Sequence, residues 1–337
     1  MVTPTVDTLS YSWELIQPSL RSALDRLDPG VRHLCGYHLG FWDEQGEPDR
    51  PRGKGVRGVL ALLSAQAAGS PVEVGLPAAA AVELVHNFSL LHDDLMDGDR
   101  TRRHRPTVWA VFGSGQAILA GDALLGLADE VLAEAPSANR SWAIRCLAAS
   151  TRRLIAGQLA DLAFETRRDV TLSECLQMAA DKTAALLSCA ASIGAVLANT
   201  PADLTLRLAQ FGEHLGVAYQ LIDDILGIWG SPEATGKPVL SDLRAKKKSL
   251  PVVAALTSST AAGERLAALY LTDAQLTDAQ LAEAADLVQQ AGGRAWAENT
   301  ADAELATALE LIRSDEIPFD VAEELRRLAI RLSGRDR

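Results

Sequence analysis

The periodicity of apolar residues is the feature that most restricts the fold of this chain. Segment after segment repeats apolar residues at i, i+3, i+4 and i+7, the spacing of one face of an α-helix. Strand-like alternation is scarce, and aromatic residues make up only 5% of the chain. The pattern predicts an all-α protein, with helices over about 12–27, 54–69, 77–98, 106–132, 138–165, 171–198, 203–228, 248–257, 275–291, 293–313 and 317–333.

Nothing in the sequence marks a clear boundary between domains. A length of 337 residues is compatible with about two domains, and 48% hydrophobic residues are enough for a sizeable core. The polar stretches 41–53 and 229–247 are loops within the helical pattern, and no low-complexity linker or convincing repeat divides the chain. We therefore expect one all-α domain over 1–337.

Charge and cysteine usage restrict the partners and the compartment. The net charge of -12 disfavours nucleic-acid binding and a polybasic membrane anchor. No secretory signal is visible at the N-terminus, and the apolar run 184–198 is short for a membrane span, so we expect no stable membrane insertion. A cytoplasmic location with free thiols is predicted because no CxxC pair occurs among four widely spaced cysteines, Cys35, Cys146, Cys175 and Cys189.

A first acidic cluster, Asp93, Asp94 and Asp97, lies in an apolar, helix-like run. Positions i and i+4 share a helix face about 6 Å apart along the axis, so Asp93 and Asp97 point the same way, with His86 two turns earlier. Buried carboxylates need a counter-charge, and hard oxygen ligands suit Mg²⁺. The alternative is a solvated, acidic helix end.

Cationic residues flank this cluster on both sides. Guanidinium groups match phosphate oxygens geometrically, and four arginines follow the cluster: Arg100, Arg102, Arg103 and Arg105. Lys54 and Arg57 precede it at a predicted helix start, which favours a bound phosphate. The alternatives are ion pairs with the nearby aspartates and an ordinary amphipathic helix start.

A second acidic cluster repeats the order of acid before base. Asp223 and Asp224 end a predicted helix that carries Gln220 one turn earlier, and a Gly/Pro loop follows. Basic residues come next, Lys237, Arg244, Lys246, Lys247 and Lys248. A basic run is often only a solvated patch, but two successive acid-then-base segments indicate a metal–diphosphate site.

Polar residues also interrupt two further apolar helices. Gln158 and Asp161 lie at i and i+3 in one of them, and Lys182 and Thr183 interrupt the other. A lysine in such a position needs an anionic partner or extends its ammonium group to the surface.

The ordered segments resemble the trans-isoprenyl diphosphate synthases, the polyprenyl synthetase family, over about residues 50–255. The resemblance rests on Gly-Lys-x-x-Arg (53–57), His-x-x-Ser-Leu-x-His-Asp-Asp-x-x-Asp (86–97), Arg-Arg-x-x-Pro-Thr (102–107), Gly-Gln-x-x-Asp (157–161), Lys-Thr (182–183), Gln-x-x-Asp-Asp (220–224), Gly-Lys (236–237) and Ser-Asp-Leu (241–243). A lone DDxxD is weak evidence, whereas this ordered set is highly specific.

The family implies a bundle of about ten or more helices around a central cavity, usually as a homodimer, and a division of labour among residues. Direct ligands of three Mg²⁺ ions would be Asp93, Asp97 and Asp223, supported by Asp94, Asp224 and Asp242. The allylic diphosphate would be held by Arg102, Lys182, Lys237 and Lys247. The diphosphate of isopentenyl diphosphate would be held by Lys54, Arg57, His86 and Arg103. The developing allylic cation would be faced by Thr183 and Gln220.

The reaction that the resemblance implies is head-to-tail (1'-4) condensation of isopentenyl diphosphate with an allylic diphosphate, which releases diphosphate. Three departures from the family pattern stand out. Gly227 replaces the last aspartate of the second DDxxD, and Lys246 stands where glycine is frequent. The family's basic motif near residue 55 has also lost one arginine. We expect activity to survive the change at 227 with weaker metal binding.

Product length in this family depends on residues just before the first motif. Phe88 is a single aromatic residue five positions before Asp93, Ser89 is small, and the motif has no two-residue insertion. This combination is similar to geranylgeranyl (C20) synthases, whereas two bulky residues or an insertion typify farnesyl (C15) synthases. A C15 or longer product, with Phe88 as plain core packing, is the alternative.

Three other functions compete with the synthase. A metal phosphohydrolase would use His92 and Asp93 as an HD dyad but leaves the later motifs without a role. A terpene cyclase needs only one diphosphate site, and a non-catalytic modulatory subunit typically loses aspartates of the first motif. The chain keeps that motif and the second set of diphosphate-binding residues, Lys54, Arg57, His86 and Arg103.

Overall fold

Helices account for nearly all of the regular secondary structure. The structure, a computed structural model, describes residues 8–49, 55–231, 239–272 and 274–334. Within these ranges the strands are two residues long: β1 (Thr101–Arg102) pairs antiparallel with β2 (Arg105–Pro106). The predicted all-α fold is confirmed.

The α-helices of the described ranges vary in length from 4 to 28 residues. In chain order they are α1 (Thr8–Leu24), α2 (Pro29–Leu39), α3 (Val56–Ala67), α4 (Leu76–Met96), α5 (Val108–Phe112), α6 (Ser114–Ala133), α7 (Arg140–Thr166), α8 (Leu172–Ala179), α9 (Ala185–Leu197), α10 (Ala202–Trp229), α11 (Ser241–Arg244), α12 (Leu250–Leu256), α13 (Ala261–Tyr270), α14 (Asp278–Gln290), α15 (Gly293–Leu311) and α16 (Phe319–Leu332). A 3₁₀ turn (Val72–Gly75) precedes α4, and a π-helical turn (Ala180–Ala184) joins α8 to α9.

Local chemistry explains where several helices begin and end. Thr171 and Glu174 form the capping box that the sequence predicts at the start of α8. The helix predicted over 106–132 is divided at Gly113, whose φ of 106° an L-residue rarely adopts. Helices α2, α11 and α13 and the short β-hairpin were not predicted, although Pro29 at the start of α2 is a typical first helical residue.

The chain forms two compact units, each built from separate stretches of sequence. The first comprises the described part of Met1–Ala149 with Cys189–Ala209 and Ser314–Leu325. Its centre is α4, which packs most extensively against α6 and then against α3. Residues 78–82 of α4 are completely buried, as expected for a helix that is apolar on nearly every side.

The second unit comprises Ser150–Ser188, Gln210–Arg313 and the described part of Arg326–Arg337. One apolar cluster joins the end of α10 to α11–α14 and includes Ile228, Leu243 and Tyr270, all fully or almost fully buried. Another cluster joins Phe164 of α7 and Leu221 of α10 to α12 and α15. These clusters fix the end of α10, which carries the second acidic cluster.

Two apolar segments, Val72–Met96 and Leu172–Leu197, are long enough to cross a membrane by length and composition. Within the protein, 72% and 78% of their apolar windows are buried, which is typical of core helices. The second segment contains most of the run 184–198 that the sequence predicts to be a buried core helix. All four cysteines are free, and three of them are buried.

Candidate active site

The first acidic cluster lies at the C-terminal end of α4. The Asp97 backbone N–H donates to the Asp93 carbonyl oxygen over 2.8 Å, so the helical turn continues through the cluster. Asp93 and Asp97 are therefore one turn apart on one face, as the spacing predicts. Asp94 points elsewhere: its side chain is only 2% exposed and accepts a 2.6 Å hydrogen bond from Arg102 Nε.

Burial and pairing act on Asp94 in opposite directions. Burial raises the pKa of Asp94 to about 6, although the charge and hydrogen bond of Arg102 lower it. Asp94 thus binds Arg102 to the end of α4. The suggestion that the arginines pair with nearby aspartates is confirmed for Arg102.

Arg103 lies in the tight turn between β1 and β2. Arg102 pairs with Arg105 across the hairpin, and the two turn residues, Arg103 and His104, have φ values of 51° and 62°. Non-glycine residues with this backbone conformation are uncommon and tend to cluster at functional sites. Burial, followed by the positive charge of Arg102, lowers the pKa of Arg103. The hairpin therefore carries an exposed arginine whose positive charge lies close to that of Arg102.

Arg57 and His86 form a contact between α3 and α4. Arg57 Nη1 lies 3.2 Å from His86 Nε2, and arginine can only donate, so this imidazole nitrogen accepts. Burial, followed by the charges of Arg57 and Arg103, holds the pKa of His86 well below its usual value. His86 is thus neutral at pH 7 and orients the Arg57 side chain. The structure thus brings Arg57 and His86 into contact, and their assignment to a diphosphate stays a prediction.

Two further polar residues, close to the arginines Arg57 and Arg103, were not singled out from the sequence. Glu83 is buried on α4 and accepts a 2.8 Å hydrogen bond from the Gly58 backbone N–H. His38 lines a cavity of about 40 Å³ together with Asp94, Arg102 and Arg103, and burial followed by both arginines lowers its pKa to about 3. No signal pointed to His38 because α2 itself was not predicted.

The second acidic cluster is anchored by a chain of hydrogen bonds. Thr183 Oγ1 donates to Gln220 Oε1 over 2.6 Å, and Gln220 Nε2 donates to Asp224 Oδ1 over 2.7 Å. The Leu250 backbone N–H donates to Asp224 Oδ2 over 2.8 Å. Burial raises the pKa of Asp224 to about 7 despite these bonds, and Asp242 and Asp223 raise it further. The Asp224 carboxylate therefore orients Gln220 and joins α10 to α12.

Lys182 has an anionic partner. Its Nζ lies 2.5 Å from Asp161 Oδ2, which joins two motifs that are 21 residues apart in the sequence. A Cβ at Gly157 would lie 2.3 Å from the Lys182 backbone nitrogen, so the close approach of α7 requires glycine there. Lys182 and Thr183 lie on the π-helical turn, a feature frequent at functional sites. The alternative of a lysine extended to the surface does not apply.

Gly227 is explained by the position of Asp242. A Cβ at position 227 would lie 2.1 Å from Asp242 Oδ2. The Asp242 backbone is held in turn, since its carbonyl oxygen accepts from the Lys247 N–H over 3.0 Å. The carboxylate of Asp242 therefore takes the space that an aspartate at 227 would need.

Comparison with known proteins identifies the family of this chain. The model of the family described as "Polyprenyl synthetase" matches residues 49–288. The chain belongs to the polyprenyl synthetase family. It is a prenyltransferase, so the phosphohydrolase and the non-catalytic subunit find no support.

Relatives and structures agree with this assignment. A (2E,6E)-farnesyl diphosphate synthase of Mycobacterium tuberculosis is 48% identical over 98% of this chain and 93% of its own length. A geranylgeranyl diphosphate synthase of the same species is 43% identical over 89% of this chain and 87% of its own length. A polyprenyl synthetase of Streptomyces coelicolor A3(2) has 48% identity and a TM-score of 0.91 over 96% of this chain and 98% of its own.

For some of the predicted site residues, the role in binding metal or diphosphate stays a prediction. Lys54 and Lys237 lie outside the described residues. Asp93, Asp97, Asp223 and Lys247 are described, and their assignment to metal or diphosphate stays a prediction. Phe88 and Ser89 are both buried on α4, and Ser89 Oγ donates to the His86 carbonyl oxygen over 2.8 Å. Ser89 is thereby turned back onto its own helix.

Proposed function

We propose that this polyprenyl synthetase condenses isopentenyl diphosphate with an allylic diphosphate in a Mg²⁺-dependent reaction that releases diphosphate. The observation that carries the proposal is the pairing of Arg57 with a neutral His86, which also lies close enough to Arg103 to be affected by its charge. Such a group of guanidinium donors suits a diphosphate, which offers many acceptor oxygens and a high negative charge.

The chain's own residues bind and orient the substrates. His86 adds no positive charge; it accepts from Arg57 and so limits the directions in which the guanidinium group can donate. In the second unit, Gln220 is fixed at both ends of its amide by Thr183 and Asp224, which leaves its orientation defined. A fixed amide carbonyl and hydroxyl dipole lower the energy of a nearby carbocation without acting as nucleophiles. This is the role we propose for Thr183 and Gln220.

The donor set suits Mg²⁺. Asp93, Asp97 and Asp223 offer only carboxylate oxygens, the ligands that Mg²⁺ prefers. Among the described residues, no group of three or more His, Cys, Asp or Glu side chains could by itself hold a metal ion. In proteins Mg²⁺ usually retains several waters and takes further oxygens from the phosphates of its substrate. When bound, about three such ions would neutralise the negative charge of the leaving diphosphate.

For the product we propose geranylgeranyl diphosphate, C20. The support is Phe88, a single large side chain buried on α4 five residues before Asp93, followed by the small Ser89. The farnesyl diphosphate synthase of M. tuberculosis, 48% identical to this chain, favours C15 as the second candidate.

Purified protein, Mg²⁺, labelled isopentenyl diphosphate and C5, C10 or C15 allylic starters test both levels of the proposal. We expect a C20 alcohol after dephosphorylation from all three starters. A C15 product from the C5 and C10 starters, with the C15 starter left unextended, would keep the condensation and replace the C20 assignment. Absence of condensation with every starter would overturn the proposed function.

We further propose that the protein is a homodimer. Helix α7 exposes Ile155 and Leu159 one turn apart, with Trp142 earlier on the same helix, and Leu159 is 69% exposed. Leu119 on α6 is 63% exposed. Neighbouring exposed apolar side chains such as Ile155 and Leu159 are typical of protein–protein interfaces, and a second copy is the partner that the family indicates. The four free cysteines favour a reducing compartment, so we propose a cytoplasmic location. Because the net charge is -12, we propose no nucleic-acid partner.

Leu159→Glu should convert the dimer into a monomer of 35.9 kDa. Burying an unpaired carboxylate at an interface costs about 3 kcal/mol or more, which weakens association by at least about a hundredfold. Sedimentation equilibrium measures the change. The control is Leu206→Glu, at a similarly exposed leucine on α10, which should leave the dimer intact. A Leu159→Glu protein that sediments at twice the monomer mass would contradict this interface.

A further inference from the structure

Phe88 is held on α4 by a second ring. The Phe88 and His92 rings meet edge-on, with centroids 4.9 Å apart and an interplanar angle of 70°. The two residues are at i and i+4, so their side chains lie over one another on the helix face. Phe88 is only 6% exposed. Its orientation therefore depends on the rings and side chains packed around it, among them the His92 ring.

His92 is in turn fixed by α6. His92 Nε2 lies 3.1 Å from the Ile118 carbonyl oxygen and 3.8 Å from Asp122 Oδ1. The imidazole ring lies directly against Gly121, where a Cβ would come within 2.3 Å of Nε2 and 2.5 Å of Cδ2. Glycine is disfavoured inside a helix, and no left-handed backbone requires it at 121. The reason for glycine at 121 is the space that the His92 ring occupies.

We propose that Gly121 and His92 are positioning residues for product length, and that they act through Phe88. This inference rests on the proposed synthase function. Gly121 admits the imidazole ring, the ring limits the rotation of Phe88, and Phe88 limits the length of the growing prenyl chain. A larger residue at 121 displaces the ring, frees Phe88 and lets the chain grow further.

Product length after Gly121→Ala tests the inference. We expect the ratio of products longer than the wild-type product to the wild-type product to rise by roughly two- to tenfold, the effect of losing one aromatic pair. Gly126→Ala is the matched control, because it lies on the same helix and a Cβ there meets nothing within 4 Å. It should leave the product distribution unchanged, with thermal stability and oligomeric state recorded for both variants.

Two further variants separate positioning from general damage. His92→Ala should reproduce the shift to longer products, and Gly121→Ala should add nothing to it, since the displaced ring is already gone. In a Phe88→Ala background, which lengthens products by itself, residue 121 should have no effect on length. If all variants catalyse condensation but Gly121→Ala gives the wild-type distribution of product lengths, this inference is overturned and the proposed function is left intact. No condensation by the wild-type protein would overturn the proposed function instead.

Discussion

Replacing Asp93 by asparagine should lower kcat by about a hundredfold to a thousandfold while the fold is retained. Asparagine keeps the size and shape of the side chain but removes the charge that holds a divalent cation against the diphosphate, and losses of this size follow when one such stabilising group is removed. Asp93 is only partly buried, so its neutral replacement keeps access to solvent. Steady-state rates at saturating Mg²⁺ and both substrates measure the effect.

A binding measurement shows whether Asp93 acts through metal. Mg²⁺ with inorganic diphosphate should raise the melting temperature of the wild-type protein, since a ligand that binds only the folded state stabilises it. The rise should be much smaller for Asp93→Asn. Asp286→Asn, at an exposed aspartate on α14, is the control for loss of one negative charge. Equal stabilisation of Asp93→Asn and the wild-type protein would contradict the proposed ligand role.

Much of the fold could be predicted because the apolar face of a long helix produces a regular pattern in the sequence. The predictions for 77–98, 138–165 and 203–228 differ from α4, α7 and α10 by at most two residues at either end. Helix α2 was missed because its eleven residues include two glycines and a proline and show little periodicity. The split at Gly113 was missed because a single glycine inside an apolar pattern does not reveal its φ angle.

For the candidate site, the sequence predicts which chemical groups are present but not which side chains contact one another. Carboxylates before cations predicted a metal–diphosphate site, and the spacing of Asp93 and Asp97 predicted their shared face correctly. The pairs Lys182–Asp161 and Arg57–His86 depend on how separate helices pack, which no spacing along one helix reveals. The same limit explains His38, whose neighbours come from the β-hairpin far along the chain.

Restoring the missing aspartate with Gly227→Asp should damage the protein rather than improve metal binding. The new side chain meets the carboxylate of Asp242, since even a Cβ would lie 2.1 Å from Oδ2, and it adds a like charge beside Asp223 and Asp224. Overpacking of this kind lowers the free energy of unfolding by about 1–3 kcal/mol. Displacement of a residue that supports a metal site costs about ten- to a hundredfold in activity. Chemical denaturation and initial rates measure the two effects.

Two comparisons assign the damage to Asp242. Gly115→Asp places the same charge on α6 where a Cβ meets nothing within 4 Å, and it should leave stability and activity close to wild type. Adding Asp242→Ala to Gly227→Asp removes the obstructing carboxylate while the new one remains, so stability should recover. Neighbouring substitutions are non-additive when they share one space, whereas independent ones add. Additive losses of stability in the double variant would show that glycine at 227 is needed by the end of α10 itself and not by Asp242. A Gly227→Asp protein as stable as the wild-type protein would show that the Asp242 side chain moves aside freely. Recovery instead means that a side chain at 227 and the Asp242 carboxylate compete for one space, and that glycine at 227 keeps Asp242 in its place.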